Sequence, residues 1–282
     1  MNDGTEDGVS TNDGVRKAAE LLGAEPSRAV AAVDFDGTLA PIVPRPEDAR
    51  GDAAAVAALG RLGERIGTVA VVTGRPAELA VEYGGFAEVP GLERMVVLGH
   101  YGAERWDAAA GRVEPVGEAV PAGRLAELRA GLERLTADRE QAPEGVRLED
   151  KGRALAVHVR ETDDPVRALA LLDGPVRALA REVGMVVEPG RMVLEVRPAG
   201  VDKGAALASL CGAAGTPVLY AGDDLGDVPA FREVRRRGGF LVYVAAETGE
   251  APVKALAAMA DVIVDGVPGL AEFLSAVADQ LA

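Results

Sequence analysis

Two carboxylates two residues apart, Asp34 and Asp36, close an apolar run that begins at Val30. The run Val30–Phe35 reads as a buried strand, and open α/β sheets bind ligands at the carboxyl ends of their strands. Gly37 permits a sharp turn after the pair, and Thr38 can cap the next turn of chain. Buried carboxylates repel one another and are costly unless a proton or cation neutralises them, so the pair points to chemistry rather than packing.

Two further motifs stand at the ends of apolar runs, and a third opens a helix. Asp223, Asp224 and Asp227, in GDDLGD, follow Val218–Ala221. Carboxylates this dense at a strand end suit a hard cation, which prefers oxygen ligands. Thr73, Gly74 and Arg75 follow Val69–Val72, with a helix expected from Pro76. A hydroxyl and backbone N–H groups in front of a helix N-terminus can hold phosphate oxygens. Lys203, in VDKG, opens another helical stretch and offers a cation.

In their order along the chain, Asp34–Asp36, Thr73–Arg75, Lys203 and Asp223–Asp227, the four motifs resemble those of the haloacid dehalogenase superfamily of phosphatases. The resemblance implies a role for each matching residue. Asp34 would be the nucleophile that takes the phosphoryl group. Asp36 would protonate the departing oxygen and then activate water, an acid role that burial among other carboxylates would favour. Thr73 and Lys203 would hold phosphate oxygens. Asp34, the Asp36 carbonyl and Asp223 would bind Mg²⁺, with Asp224 and Asp227 in or next to its ligand set.

The elements needed to position these groups are legible in the periodicity. Val30–Phe35, Val69–Val72, Met95–Leu98, Val218–Ala221, Phe240–Val244 and Val262–Val264 read as strands separated by helical stretches. Val56, Leu59, Leu62 and Ile66 fall at helical spacing. Such alternation predicts an α/β fold with a parallel, Rossmann-like sheet between helical layers. The middle of the chain differs. Leu125, Leu128, Leu132 and Leu135 mark a helix, and Val146–Lys151 with Ala154–Arg160 reads as a hairpin. A helix from about Asp164 to Val183 follows, broken or kinked at Pro175. A second hairpin is expected from Met185–Glu188 and Met192–Val196, turning at Pro189-Gly190. The expected organisation is therefore a core at 28–115 and 199–282 and an inserted α+β cap at 116–198. Residues 1–27 form a tail and short helix, with 1–14 disordered.

The insertion carries a second resemblance. LEDKGRALAVHVR, Leu148–Arg160, is similar to the signature of trehalose-6-phosphate phosphatases, as are GHYGAE, Gly99–Glu104, and EPGRMVLEVRP, Glu188–Pro198. Strand alternation puts Glu149 and Lys151 on one face and His158 and Arg160 on one face of the next strand. The resemblance assigns Glu149, Lys151 and Glu195 to the distal sugar, with Gly74, Arg75, His100, His158 and Arg160 in the substrate site. His158 serves equally well as a structural histidine of the hairpin, and His100 as a brace for its loop. Tyr101 and Trp106 read as packing. Other phosphorylated disaccharides or glycosides (sucrose 6-phosphate, a glycosyl-3-phosphoglycerate, a trehalose-like pseudo-disaccharide) fit the same core.

Composition narrows the classes. A formal net charge of −15 over 282 residues argues against nucleic-acid and anionic-membrane partners. Residues 1–14 lack the apolar run of a secretory signal, and no apolar stretch reaches the roughly 18–20 residues of a membrane span. The single cysteine, Cys211, fits helix core in a reducing compartment. A cytoplasmic monomer acting on a small molecule is expected. An oxidoreductase is disfavoured because Asp34-Phe35-Asp36 stands where a Gly-x-Gly-x-x-Gly loop would follow the first strand. Asp34, Asp36, Lys203 and Asp223 are all present, which disfavours an inactive sugar-phosphate sensor.

Overall fold

The structure is a computed structural model that describes residues 11–117, 121–190, 192–212, 214–246 and 253–281. The chain opens with α1 (Thr11–Ala24) and then enters β1 (Val30–Val33). Next come α2 (Ala53–Gly63), β2 (Thr68–Val72), α3 (Ala77–Gly84) and β3 (Val96–Gly99). A hairpin of β4 (Glu104–Asp107) and β5 (Arg112–Pro115) ends this half. The central segment contains α4 (Ala122–Ala137), β6 (Arg147–Asp150), β7 (Leu155–His158), α5 (Pro165–Glu182), β8 (Met185–Gly190) and β9 (Val193–Pro198). The last part runs α6 (Lys203–Cys211), β10 (Val218–Gly222), α7 (Val228–Arg237) and β11 (Phe240–Ala245). It closes with α8 (Lys254–Ala257), β12 (Val262–Asp265) and α9 (Gly266–Gln280).

The strands form an eight-stranded sheet, β12-β11-β10-β1-β2-β3-β4-β5, and a separate four-stranded sheet, β6-β7-β9-β8. The six strands expected from the apolar runs are all present and pair in parallel. Five of them are buried on both faces, which is why they read as continuous apolar runs, while the edge strand β12 leaves Ile263 exposed. Ala31, Val33, Val69 and Val71 pack toward α1, α2 and α9, while Val30, Ala32, Ala70 and Val72 pack toward α6 and α7. Cys211 lies in the second of these layers as core. Asp52 caps α2 by accepting from Ala54 and Ala55 N–H, and Asp202 caps α6 by accepting from Ala205 N–H. That cap makes Lys203 the first residue of α6.

Four expectations need correction. The main sheet is mixed, because β4 and β5 extend it antiparallel beyond β3. Their outward residues Arg105, Asp107, Arg112 and Glu114 hide the strand pattern; only Trp106 is buried. Residues 11–14 belong to α1 instead of a disordered tail, since Val15, Ala18 and Leu22 dock the helix on α9. The expectation of disorder for 1–10 lies outside the described residues. The break expected at Pro175 does not occur, for α5 is one helix through it. Its apolar face, with Ala168, Leu172, Val176 and Ala180 buried, holds the helix across the proline. Finally, β8 continues through Pro189 and Gly190, with Gly190 paired to Val193, so the second hairpin turns later than the Pro-Gly pair suggests.

The four-stranded sheet has its own apolar core, in which Leu128, Leu132 and Leu135 of α4 and Leu172 and Val176 of α5 pack on Leu155, Val157, Leu194 and Val196. No described helix is long and apolar enough to cross a membrane.

Candidate active site

The register of the main sheet brings the motifs together. Val33 lies opposite Ala221 on one side and Val71 on the other, so Asp34, Thr73 and Asp223 follow neighbouring strand ends. Asp34 N–H donates to the Ala221 carbonyl at 2.9 Å, carrying the ladder one residue into the site. Thr73 N–H does the same to the Leu98 carbonyl at 3.0 Å.

Lys203 is the charge centre. Its Nζ lies 2.7 Å from Asp34 Oδ1 and 2.7 Å from Asp227 Oδ1, and all three side chains are almost fully buried. Asp227 Oδ1 also accepts from the Tyr220 hydroxyl at 2.7 Å. Its Oδ2 accepts from the backbone N–H groups of Asp223 at 3.0 Å and Asp224 at 3.2 Å. A carboxylate has about four lone-pair positions, and those of Asp227 are all engaged. Asp227 is thus the anchor that orients Lys203 and folds the Asp223–Asp224 loop.

Asp34, Asp223 and Asp227 present ligand atoms within 4.8 Å of one another, a cluster able to hold a cation. Among these three, Asp34 and Asp223 keep free acceptor capacity, while Asp227 is saturated. Thr38 Oγ1 donates to Asp223 Oδ1 at 3.2 Å. Gly37, at φ 82°, admits the approach, for a Cβ there would lie 2.1 Å from Asp223 Oδ2. Burial, then neighbouring carboxylates, push Asp223 well above the ordinary carboxylate range. Burial does the same to Asp34 against the opposing Lys203, and Asp224 rises to about 6, burial again leading. Such a group of anions is short of positive charge, which is what a divalent cation with oxygen preference supplies. The residues present fit Mg²⁺.

Asp36 stands apart from that cluster. Its carboxylate takes two hydrogen bonds from Arg75, Nε to Oδ2 at 2.7 Å and Nη2 to Oδ1 at 2.6 Å, and its side chain is 38% exposed. The expectation that Asp36 lies buried among carboxylates is corrected: an arginine from the Thr73 loop meets it. Arg75 Nη2 also donates to the Pro46 carbonyl at 2.8 Å, so its guanidinium braces the loop after β1. Thr73 Oγ1 accepts from Arg75 N–H at 3.1 Å.

The smaller sheet supplies the facing wall. Asp34, Asp36, Thr73, Gly74, Arg75, Lys203, Asp223 and Asp224 line one cleft with Glu149, Lys151, His158, Arg160 and Glu195. Lys151 Nζ is 2.6 Å from Glu195 Oε2, both buried, and Glu195 Oε1 has no partner. His158 Nε2 is 2.7 Å from Glu149 Oε2. Burial would raise the Glu149 pKa, but the His158 hydrogen bond, Lys151 and Arg75 overcome it and bring it to about 2. Arg160 donates to the Val43 carbonyl, joining the smaller sheet to the loop after β1.

Two expected site residues are absent from the cleft wall. Asp227 lies beneath it, and His100 is buried behind it, with Nε2 3.7 Å from Glu104 Oε1. Burial, ahead of the Glu104 charge, lowers the His100 pKa and keeps the ring neutral. Conversely Tyr101, Glu188 and Gly190 line the cleft unforeseen. Their one sequence signal is membership of the GHYGAE and EPGR segments.

Solved structures share this architecture. The C-terminal domain of a Candida albicans trehalose-6-phosphate phosphatase superposes with a TM-score of 0.70 at 19% identity, covering 94% of this chain and 96% of that one. A haloacid dehalogenase-like hydrolase from Bacteroides thetaiotaomicron gives 0.56 at 17% identity, covering 87% and 98%. Sheet order and strand-end acids together define a haloacid-dehalogenase-like hydrolase fold. Sequence relatives narrow the class. The Trehalose-phosphatase family model matches residues 32–262. A probable trehalose-phosphate phosphatase of Sinorhizobium fredii is 35% identical over 217 residues, 75% of this chain and 76% of that protein. The Escherichia coli trehalose-6-phosphate phosphatase is 31% identical over 215 residues, 75% of each chain. A Mycobacterium avium trehalose-phosphate phosphatase is 34% identical over 262 residues, and that match spans 61% of its length. The chain belongs to the trehalose-phosphatase family.

Proposed function

We propose that this protein is a Mg²⁺-dependent phosphatase that hydrolyses trehalose 6-phosphate to trehalose and phosphate through an aspartyl-phosphate on Asp34. The observation that carries the reading is Asp34 paired with Lys203 at 2.7 Å in a cleft whose facing wall holds the Lys151–Glu195 pair. One side suits a phosphoryl group and the other a polyol.

Asp34 attacks phosphorus while the bond to the sugar oxygen breaks, and Asp36 delivers a proton to that oxygen. One Arg75 hydrogen bond must open for Asp36 to carry the proton. Asp36 then takes a proton from water, which attacks the phosphorus and returns Asp34 as carboxylate. Lys203, Thr73 and the Gly74 backbone hold the equatorial oxygens. Asp34, the Asp36 carbonyl and Asp223 would hold Mg²⁺, with Asp224 on the cleft wall as a further acceptor and Asp227, whose oxygens are engaged, outside the set. The cation supplies charge that lets a carboxylate approach a dianion.

The segment 116–198 acts in this reading as the cap that selects the sugar, with 28–115 and 199–282 as the catalytic core. Glu149, Lys151 and Glu195 take the distal glucose; the Glu195 carboxylate, paired with Lys151 and next to the Tyr101 hydroxyl, has acceptor capacity left for a sugar hydroxyl. We place the protein in the cytoplasm as a monomer without nucleic-acid partners, in line with its charge of −15.

Lys151→Ala and Glu195→Ala test the assignment. Each removes a charged hydrogen bond worth about 1.5–3 kcal/mol, or roughly ten- to a hundredfold in kcat/KM for trehalose 6-phosphate. An aryl phosphate that does not reach these groups should be spared. Equal losses on both substrates would remove the sugar-reading role.

A further inference from the structure

The turn His100–Gly102 contains two consecutive non-glycine residues in the left-handed region, His100 at φ 47° and Tyr101 at φ 58°. Side chains with a Cβ adopt that conformation at a cost and keep it only where their surroundings over-determine it. Here the backbone does so. His100 N–H donates to the Arg75 carbonyl and Tyr101 N–H to the Thr73 carbonyl, both at 2.9 Å. The turn is tied to both ends of the phosphate-binding loop, and its other side packs on α6, the helix opened by Lys203.

This strained backbone aims the Tyr101 ring at the junction of the two sheets. A Cβ built on Gly74 would lie 2.6 Å from the Tyr101 hydroxyl, so the ring rests directly against the phosphate loop. From β9, the Arg197 guanidinium sits 5.0 Å from the ring centroid, within cation–π range. Arg197 is itself held by Glu188, a residue of the cleft wall. Glu195, also on β9, lies beside the hydroxyl. The ring thus meets the phosphate loop and Glu195 at its hydroxyl end, with Arg197 over its face.

We propose that Tyr101 is a positioning residue that couples docking of the cap on the sugar to the geometry of the loop at Thr73 and Gly74. The proposal rests on the phosphatase reading above. Movement of β9 relative to the core moves Arg197 and Glu195 against a rigid ring, and the ring bears on Gly74. The backbone ties from residues 100 and 101 hold the loop regardless of the side chain. Core chemistry therefore survives loss of the ring, and what disappears is the link to the sugar.

Steady-state kinetics of Tyr101→Leu, Arg197→Lys and the double variant, on trehalose 6-phosphate and on p-nitrophenyl phosphate, test this. Tyr101→Leu should lower kcat on the disaccharide phosphate about tenfold with KM within about threefold, the scale of a desolvated cation–π contact. Its kcat on the aryl phosphate should fall less than about threefold, because that substrate does not engage the cap. Arg197→Lys keeps the charge and loses the planar face, so it should move in the same direction. The double variant should be no worse than Tyr101→Leu, because both changes cut one link. Tyr101→Phe, which keeps the ring, should retain about half or more of kcat. Equal factors on the two substrates, an effect confined to KM, or multiplying losses in the double variant would overturn the proposal. If Tyr101→Leu does not fold, the substrate ratio of Arg197→Lys decides alone. Wild-type turnover of trehalose 6-phosphate tests the substrate reading separately. Should that be slow, the same ratios are taken on the phosphorylated disaccharide that wild type hydrolyses fastest.

Discussion

Arg75 holds Asp36 by a two-pronged contact, Nε to Oδ2 at 2.7 Å and Nη2 to Oδ1 at 2.6 Å. Both residues come from loops at adjacent strand ends, and the same guanidinium reaches the Pro46 carbonyl. The planar fork fixes the Asp36 carboxylate in direction as well as place, which a lysine cannot do.

Arg75→Lys should therefore impair proton delivery more than phosphate binding. On a sugar phosphate, whose leaving oxygen needs a proton, kcat/KM should fall roughly tenfold or more. On p-nitrophenyl phosphate, whose leaving group departs unaided, the loss should be several times smaller. Comparing the two substrates in one variant checks it; equal losses would make Arg75 a phosphate ligand instead.

Removal of the metal should make stability depend on pH in a particular direction. Burial pushes Asp224 up to about 6 in the fold and raises Asp34 and Asp223 well above the ordinary carboxylate range. A raised carboxylate contributes stability below its unfolded value, about 3.9, and loses it as pH rises through the folded value. Across the window from about 4 to 6 and above, the chelated protein should lose stability from this cluster as these groups ionise. Mg²⁺ should then raise Tm more at pH 7.5 than at pH 5. Thermal melts with chelator and with Mg²⁺ measure this, and a larger shift at pH 5 would contradict it.

Asp227 should behave as an anchor. Asp227→Asn turns an NH₂ toward groups that are themselves donors, leaving buried polar atoms unpaired at about 1–3 kcal/mol each. Urea unfolding should show a loss on the order of 3 kcal/mol. Calorimetric Mg²⁺ affinity should fall further for Asp223→Asn than for Asp227→Asn. The opposite ranking, with native stability, would make Asp227 a ligand.

The Glu149–His158 pair gives an acid-side signature. Despite burial, Glu149 is depressed to about 2 by His158, Lys151 and Arg75. A depressed carboxylate contributes stability above its unfolded value, near 4.3, and loses it as pH falls through the folded value. The stability difference between wild type and Glu149→Gln should shrink as pH drops from about 4.5 toward 2. A difference that grows over this range would show that the pair is not formed.

The inner parallel strands and their terminal acids were legible because a strand buried on both faces leaves an unbroken apolar run, and the Asp34, Thr73 and Asp223 motifs begin where such a run stops. The β4–β5 hairpin was not, since between its outward Arg105, Asp107, Arg112 and Glu114 each strand has a single apolar residue, Trp106 or Val113, too short an alternation to read. The partners within the site were the harder part. Nothing in TGR distinguishes an arginine that meets phosphate from one that meets Asp36, because that depends on how the loops after β1 and β2 face one another. Asp227 stood in the acidic motif, yet its four donors come from Lys203, Tyr220 and the backbone of Asp223 and Asp224. Tyr101 looked like packing because its role arises from a contact with Arg197, 96 positions on in the chain and on the other sheet.

The most direct test is phosphate release by the wild-type protein with Mg²⁺ across trehalose 6-phosphate, sucrose 6-phosphate, a glycosyl-3-phosphoglycerate and glucose 6-phosphate, beside Asp34→Asn. Trehalose 6-phosphate should give the highest kcat/KM, at least about tenfold above glucose 6-phosphate, which lacks the distal ring read by Lys151 and Glu195. Asp34→Asn should fold and release less than about a thousandth as much phosphate, since an amide cannot form the acyl-phosphate. Faster turnover of another phosphorylated sugar, or an active Asp34→Asn protein, would contradict the proposed function.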